Sequence, residues 1–210
     1  METFKRNQVE EAIARLFGET SGPPSSALSN RMKRLLDEDR KRGRKSRAND
    51  PELANYAFYS SESPGKGIEV DFSEYDAFAL FTSLRLLHHG WPQGFAVSML
   101  RRLRPELERQ HGKILRLDPE VIFNKEAIRQ KANEGDLVVN TTDPVFLLIA
   151  SHEGNSEGPT GSIHRGVSDV FEVIREKGAT SWTFHELVVQ IHKLREALAK
   201  VPPRKRGRVA

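Results

Sequence analysis

A buried helix between residues 73 and 87 is the feature that most constrains the fold. Ser73 is followed by the acidic residues Glu74 and Asp76. This pattern is typical of a helix N-terminus, because the serine accepts hydrogen bonds from free amides and the acids favour the positive end of the helix dipole. From Phe78 to Leu87 the apolar residues lie on more than one face, which predicts a helix that other elements cover on several sides. We therefore expect this helix to form the centre of the core.

The segments before this helix predict two further helices and a β-hairpin. Residues 6–17 and 27–39 place apolar side chains at helical spacing. Residues 54–60 and 67–72 have the composition of strands, and the turn residues between them include Lys66. The order helix, turn, basic helix, hairpin, helix is typical of a winged helix-turn-helix.

The segment 67–103 resembles the part of MerR-like winged-helix DNA-binding domains that follows the wing. The shared pattern is an aromatic-Ser-Glu-x-Asp start at residues 72–76, a leucine four residues after the aspartate, a corner at Gly90 and Trp91, and a second helix that includes residues 99–100. This resemblance implies a winged-helix domain that binds double-stranded DNA and regulates transcription.

Positive charge is concentrated between residues 31 and 47. The formal net charge of the whole chain is only +4, so the position of the charges matters more than their sum. Guanidinium and ammonium groups on one helix face bind phosphates, while short polar or forked side chains contact base edges. We expect major-groove contacts from Asn30, Arg31, Lys33 and Arg34, backbone attraction from Arg40, Lys41, Arg42, Arg44, Lys45 and Arg47, and a wing contact from Lys66. The alternative interpretation is a solvated charged face.

The C-terminal part predicts a smaller α/β region. Residues 145–150 are β-rich, and a final helix is expected from about Thr183 to Val201. This helix carries apolar residues at three- and four-residue spacing, which predicts either a dimerisation seam or a face packed on the strands: Phe184, Leu187, Ile191, Leu194 and Leu198. The predicted fold is therefore α+β, with a winged-helix domain at 1–112, a dimerisation or sensing region at 113–201 and a basic disordered tail at 202–210.

The composition argues against membrane, secreted and metal-binding classes. No apolar run approaches the roughly 20 residues that a membrane helix needs, and the first residues lack the apolar segment of a signal peptide. The chain has no cysteine, and its 7 histidines do not form a zinc pattern. We therefore expect a cytoplasmic protein with no metal and no cofactor.

Three classes of function are consistent with these patterns. We favour a non-enzymatic, sequence-specific transcriptional regulator that binds double-stranded DNA as a homodimer and responds to an effector of unknown identity. The second class is an assembly protein whose charged helices bind an acidic partner. The third is a small enzyme that uses the polar loop from Ser151 to Gly166. Residues 154–158 in that loop fit the G-x-S-x-G motif of hydrolases, but they lack the following helix that positions the serine.

Overall fold

The fold is a mixture of helices and antiparallel sheet, as the predicted α+β class requires. We analysed a computed structural model, which describes residues 2–19, 23–60, 71–134, 139–152 and 158–203 of the 210-residue chain. The chain divides into two compact units. Unit 1 contains Met1–Pro105 together with Lys193–Ala210, and unit 2 contains Glu106–His192. Unit 1 is therefore built from both ends of the chain, whereas the sequence suggested a boundary at residue 112 and a separate tail.

Unit 1 is a helical layer on a short two-stranded sheet. Its elements in chain order are β1 (Thr3–Lys5), α1 (Arg6–Leu16), α2 (Ser26–Arg42), α3 (Pro51–Ala54), β2 (Asp71–Ser73), α4 (Glu74–His88) and the first part of α5 (Gln93–Ile114). Strands β1 and β2 pair antiparallel, with Phe4 opposite Phe72. Both phenylalanines are buried, so this pairing joins the start of the chain to the strand that leads into α4.

Helix α4 is the central element of unit 1, as its sequence predicts. The Ser73 hydroxyl accepts a hydrogen bond from the Asp76 amide at 3.1 Å, and the Asp76 carboxylate accepts one from the Ser73 amide at 3.1 Å. These two bonds form a capping box that begins the helix. The residues from Tyr75 to Leu84 are all buried, because neighbouring elements cover the helix on several sides.

The predicted β-hairpin does not form over its first half. Residues 55–60 contain no strand, and Pro51–Ala54 is a short helix. Strand β2 pairs instead with β1. The physical reason is that side chains from outside the segment bind the backbone of residues 56–58, which a strand would use for ladder hydrogen bonds. Lys66, the predicted wing residue, lies outside the described residues.

The C-terminal end of unit 1 returns to α1. The Gln8 side-chain amide donates a buried hydrogen bond of 2.9 Å to the Val201 carbonyl. Leu194 and Leu198 in the same terminal segment are buried. The core of unit 1 therefore depends on residues near position 200. The predicted tail beyond residue 203 lies outside the described residues.

Unit 2 is a three-stranded antiparallel sheet with helices. Its elements are the end of α5, α6 (Pro119–Ile122), α7 (Lys125–Asn133), β3 (Val145–Ser151), β4 (Thr160–Arg165), α8 (Val167–Lys177), β5 (Ser181–Glu186) and the start of α9 (Val188–Ala199). The strand order is β4-β3-β5. Residues 145–150 of the central strand are all buried. On one face of the sheet, Phe146 and Leu148 form a cluster with Val170 of α8.

The predicted final helix begins later than expected, because residues 181–186 form strand β5. Phe184 pairs with Leu148 of β3, and its side chain is 46% exposed. The Glu186 carboxylate then accepts hydrogen bonds from the amides of Val188 and Val189 at 2.9 and 2.8 Å, and α9 begins there. The other four residues of the predicted dimerisation seam are buried inside the chain: Leu187, Ile191, Leu194 and Leu198. Dimerisation through this seam thus stays a prediction. Phe184 is the only exposed residue of the seam, and it lies on a strand.

Among the described residues, no helix is long and apolar enough to cross a membrane.

Candidate nucleic-acid interface

Helix α2 has one buried apolar face and one exposed polar face. Successive side chains rotate by about 100° around a helix, so the buried residues Leu28, Met32 and Leu35 lie opposite Asn30 and Arg34. The Ser25 hydroxyl begins the helix by accepting a hydrogen bond from the Leu28 amide at 3.3 Å. The helix ends at Gly43, whose φ of 62° favours glycine. Its apolar face therefore fixes which side chains point to solvent.

Four cations on the outer face of α2 are exposed and unpaired. They make no salt bridge and no side-chain hydrogen bond with any residue that the structure describes: Arg31, Lys33, Arg34 and Lys41. Asn30 is exposed between them. Because their charges are not neutralised locally, these four side chains are available to bind an anion. We refer to these five residues as the α2 cationic face.

Three other predicted DNA-binding residues, Arg40, Arg42 and Arg44, instead contact other residues of unit 1. Arg42 donates hydrogen bonds to the Ser98 hydroxyl at 2.6 Å and to the Gly94 carbonyl at 3.3 Å, and it forms a salt bridge with Glu38 at 2.9 Å. These contacts tie the end of α2 to the start of α5. Arg42 is therefore better explained as a structural contact than as a source of backbone attraction.

Arg40 and Arg44 also have protein partners. The Arg40 guanidinium lies 3.5 Å from the Tyr59 hydroxyl, and a salt bridge of 3.6 Å joins it to Asp37. These contacts raise the pKa of Arg40 further, chiefly through the tyrosine hydrogen bond. The Arg44 guanidinium stacks 5.6 Å from the centre of the Tyr56 ring. Of the predicted non-specific contacts outside α2, Lys45 and Arg47 remain exposed.

A buried ion pair joins α2 to α5 inside unit 1. The Asp39 carboxylate accepts a hydrogen bond of 2.6 Å from the Arg101 guanidinium, and neither side chain is more than 2% exposed. The same carboxylate accepts bonds from the amides of Ala57 and Phe58 at 2.9 and 3.1 Å. Burial raises the pKa of Asp39, while the two amides and the guanidinium oppose that rise. The pair thus joins α2, α5 and the segment that replaces the predicted hairpin strand.

A second buried pair lies one helical turn further along α5. The Arg104 guanidinium donates to the Asp76 carboxylate at 3.1 Å and to the Tyr56 carbonyl at 2.9 Å. It also stacks 4.8 Å from the centre of the Tyr75 ring. Asp76 belongs to the capping box of α4, so this pair connects the start of that helix to α5. Together the two pairs join both α2 and α4 to α5.

The buried positions of Arg101 and Arg104 were not predicted, although the sequence contains a signal for them. Arg101 and Arg104 follow Val97 and Leu100 at helical spacing and precede Leu107, so they continue the apolar stripe of α5. A charged residue inside an apolar stripe is seldom buried without a partner. The stripe therefore indicated two buried ion pairs, and only the identity of the carboxylates required the structure.

A small pocket borders the α2 cationic face. It has a volume of about 170 Å³ and lies at the start of α2, where its lining includes Arg31, Leu28 and His88. This volume is below the roughly 300–1,000 Å³ of typical small-molecule sites. Among the described residues, no group of three or more histidines or carboxylates is arranged to hold a metal ion.

No model of a protein family matches the sequence, and the comparison with curated proteins finds no match.

Proposed function

We propose that the protein is a sequence-specific transcriptional regulator that binds double-stranded DNA through a MerR-like winged-helix domain, with α2 as the recognition helix. The observation that carries this proposal is the α2 cationic face, which places unpaired cations opposite a fully buried apolar face. Asn30, Arg31 and Arg34 lie in the N-terminal half of α2, the part of a recognition helix that contacts base edges in helix-turn-helix proteins.

The residue types on this face suit both parts of DNA recognition. Arginine can donate two hydrogen bonds to guanine, and asparagine can bond the edge of adenine in the major groove. Lys33 and Lys41 suit contacts with phosphates, which position the protein without reading sequence. Lys45 and Arg47, in the loop after α2, can extend the same electrostatic attraction. The buried pair of Asp39 and Arg101 favours specificity, because base readout needs a recognition helix whose orientation does not vary.

We also propose that the protein binds DNA as a homodimer. Helix-turn-helix readers commonly place two recognition helices in successive turns of the major groove, which doubles the number of bases read and fixes the half-site spacing. Effector binding and a cytoplasmic location belong to the same proposal.

The decisive experiment selects random duplex oligonucleotides with the purified protein and then measures affinity by fluorescence anisotropy as a function of salt. The double variant Arg31→Ala/Arg34→Ala is expected to lose about 1–3 kcal/mol of binding free energy per arginine. It should also relax the sequence preference, whereas Lys33→Ala should weaken the salt dependence, because each lost phosphate contact reduces the slope by about 0.9. The matched control is Arg129→Ala/Arg175→Ala, which removes the same charge from exposed positions in unit 2.

The outcomes separate DNA binding from simple charge attraction. An enriched duplex sequence that binds the control variant normally and the α2 variant weakly would support the proposal. Equal loss in both variants would show that only net charge matters. Absence of duplex binding, with binding to an acidic polypeptide such as polyglutamate, would favour an assembly protein instead.

A further inference from the structure

Three polar side chains in unit 2 form a continuous hydrogen-bonded relay. The Ser162 hydroxyl lies 2.8 Å from His164 Nε2, and His164 Nδ1 lies 3.0 Å from an Asp169 carboxylate oxygen. Because the carboxylate can only accept, Nδ1 carries a proton. In the neutral imidazole Nε2 is then the acceptor, and the serine hydroxyl donates to it. This order of hydroxyl, imidazole and carboxylate is the one that activates a serine nucleophile.

The local fold places the three residues together. Ser162 and His164 are two apart on β4, so their side chains lie on the same face of the sheet. Gly166, with a φ of 83°, turns the chain into α8, and Asp169 lies in the first turn of that helix. The short link between β4 and α8 therefore positions the base and the group that orients it.

The three residues of the relay lie beside buried apolar side chains and remain accessible to solvent. Across the sheet, His164 pairs with Phe146 and Ser162 pairs with Leu148, both of which are buried. The His164 side chain is 14% exposed, while the Asp169 side chain is 48% exposed. Ser162 itself is neither buried nor fully exposed. A substrate and a water molecule can therefore approach a base that protein covers on most sides.

The same row of the sheet offers an apolar contact for an acyl group. Leu148 pairs with Ser162 on one side and with Phe184 on the other, so Phe184 lies on the same face as the serine, two strands away. Neighbouring strands are about 4.8 Å apart, which puts the backbones of these two residues roughly 10 Å apart. Ser162 and the exposed phenylalanine thus share one face of the sheet, with the apolar side chain of Leu148 between them.

We infer that Ser162, His164 and Asp169 form a catalytic site in unit 2 that hydrolyses esters with short apolar acyl groups. Ser162 Oγ attacks the carbonyl carbon and forms a new C–O bond, while its proton moves to His164 Nε2. The bond between that carbon and the alcohol oxygen breaks, and the alcohol leaves with the proton from Nε2. Water then attacks the acyl-serine and gives a proton to Nε2. The carboxylic acid leaves and Ser162 recovers its hydroxyl proton.

Asp169 assists this sequence. It accepts the Nδ1 hydrogen bond throughout, which keeps Nε2 directed at the serine and stabilises the imidazolium that forms. This site is separate from the α2 cationic face and does not depend on DNA binding.

The test treats the purified full-length protein with a fluorophosphonate probe and locates the adduct by peptide mass spectrometry. We expect one adduct, on Ser162, together with hydrolysis of p-nitrophenyl butyrate. Ser162→Ala should abolish both, and His164→Gln should slow labelling by about a hundred-fold, because general base catalysis contributes effects of that size. Asp169→Asn should also slow labelling. Ser181→Ala, which removes an exposed hydroxyl from β5, is the matched control and should react normally.

Each alternative result overturns the inference. Labelling spread equally over exposed serines would show that Ser162 is not activated, as would absence of any adduct. Equal labelling rates in the unmodified protein and His164→Gln would show that the imidazole does not act as a base. If a variant fails to fold, the ratio of labelling at Ser162 to labelling at Ser181 in the unmodified protein still decides the question.

Discussion

Replacing Arg101 by alanine is expected to lower the free energy of unfolding by about 3–5 kcal/mol, the usual cost of leaving one member of a buried ion pair without its partner. The Asp39 carboxylate is fully buried and would keep only the amide hydrogen bonds from Ala57 and Phe58. The carbonyls of Asp39, Gly43 and Glu52 would also lose a donor. Since domains are stable by only about 5–15 kcal/mol, this variant should be marginal.

The neighbouring residue provides a matched control. Arg102 lies on the same helix and forms a salt bridge of 2.9 Å with Glu52, but its side chain is 55% exposed. Exposed pairs contribute only about 0.2–1 kcal/mol, so Arg102→Ala should lower stability by no more than that. Arg101→Lys should fall between the two variants, because an ammonium group cannot replace all the hydrogen bonds of the planar guanidinium.

Urea unfolding can be followed separately in unit 1. The chain has 2 tryptophans, and Trp91 lies in unit 1 whereas Trp182 lies in unit 2. In a Trp182→Phe background, the fluorescence of Trp91 reports the unit that contains the ion pair. The midpoints for Arg101→Ala and Arg102→Ala should then differ clearly, and similar midpoints would refute the assigned role of the pair.

The same variant has a defined pH dependence. Burial raises the pKa of Asp39, and Arg101 is one of the groups that oppose this rise, so Arg101→Ala should raise the pKa further. An acid whose pKa is higher in the folded state destabilises the fold while it is ionised, and this cost disappears as the pH falls through the folded pKa. The stability gap between the variant and the unmodified protein should therefore shrink as the pH is lowered from neutral through the raised pKa of Asp39. A gap that widens would contradict this account.

Four further predictions concern a helix cap, a buried carboxyl group and two apolar side chains. Ser73→Ala should lower the thermal midpoint by an amount equivalent to about 1 kcal/mol, because it removes the capping box with Asp76. Burial raises the pKa of Glu186 despite its amide hydrogen bonds, so the ionised side chain costs stability at neutral pH. Its protonation should add stability as the pH falls from neutral, and Glu186→Gln should remove this contribution, which urea unfolding at several pH values will measure. Leu194→Ala should cost about 2–5 kcal/mol in urea unfolding, since the side chain is buried. Phe184→Ala should cost less than Leu194→Ala, and light scattering of this variant will show whether the exposed ring contributes to a dimer.

The helices of unit 1 could be predicted because their signals are local. The Ser73 cap and the apolar stripe of α2 lie within a few residues of the structure that they specify. The segment at residues 54–60 could not, because its conformation depends on Asp39 and on arginines of α5 that are about 50 residues distant in the chain. An aromatic-rich run has the same composition in a strand and in a coil fixed by such contacts.

The end of unit 2 shows how two periodicities can coincide. Phe184 and Leu187 have the three-residue spacing of a helix, but Trp182, Phe184 and Glu186 also alternate as in a strand, and pairing with β3 decides in favour of the strand.

The relay of Ser162, His164 and Asp169 was not predicted for a different reason. The motif at residues 154–158 drew attention to Ser156, which lies outside the described residues, whereas the spacing of Ser162, His164 and Asp169 matches no motif.

The return of residues near 200 to α1 affects the order in which the two units can fold during synthesis. Gln8 bonds to the carbonyl of Val201, so residue 201 must be translated before unit 1 can close its core. Unit 2 is a continuous insertion and has all its residues available earlier. A released chain truncated after residue 192 should therefore contain a protease-resistant unit 2 and an N-terminal segment that is still sensitive to digestion.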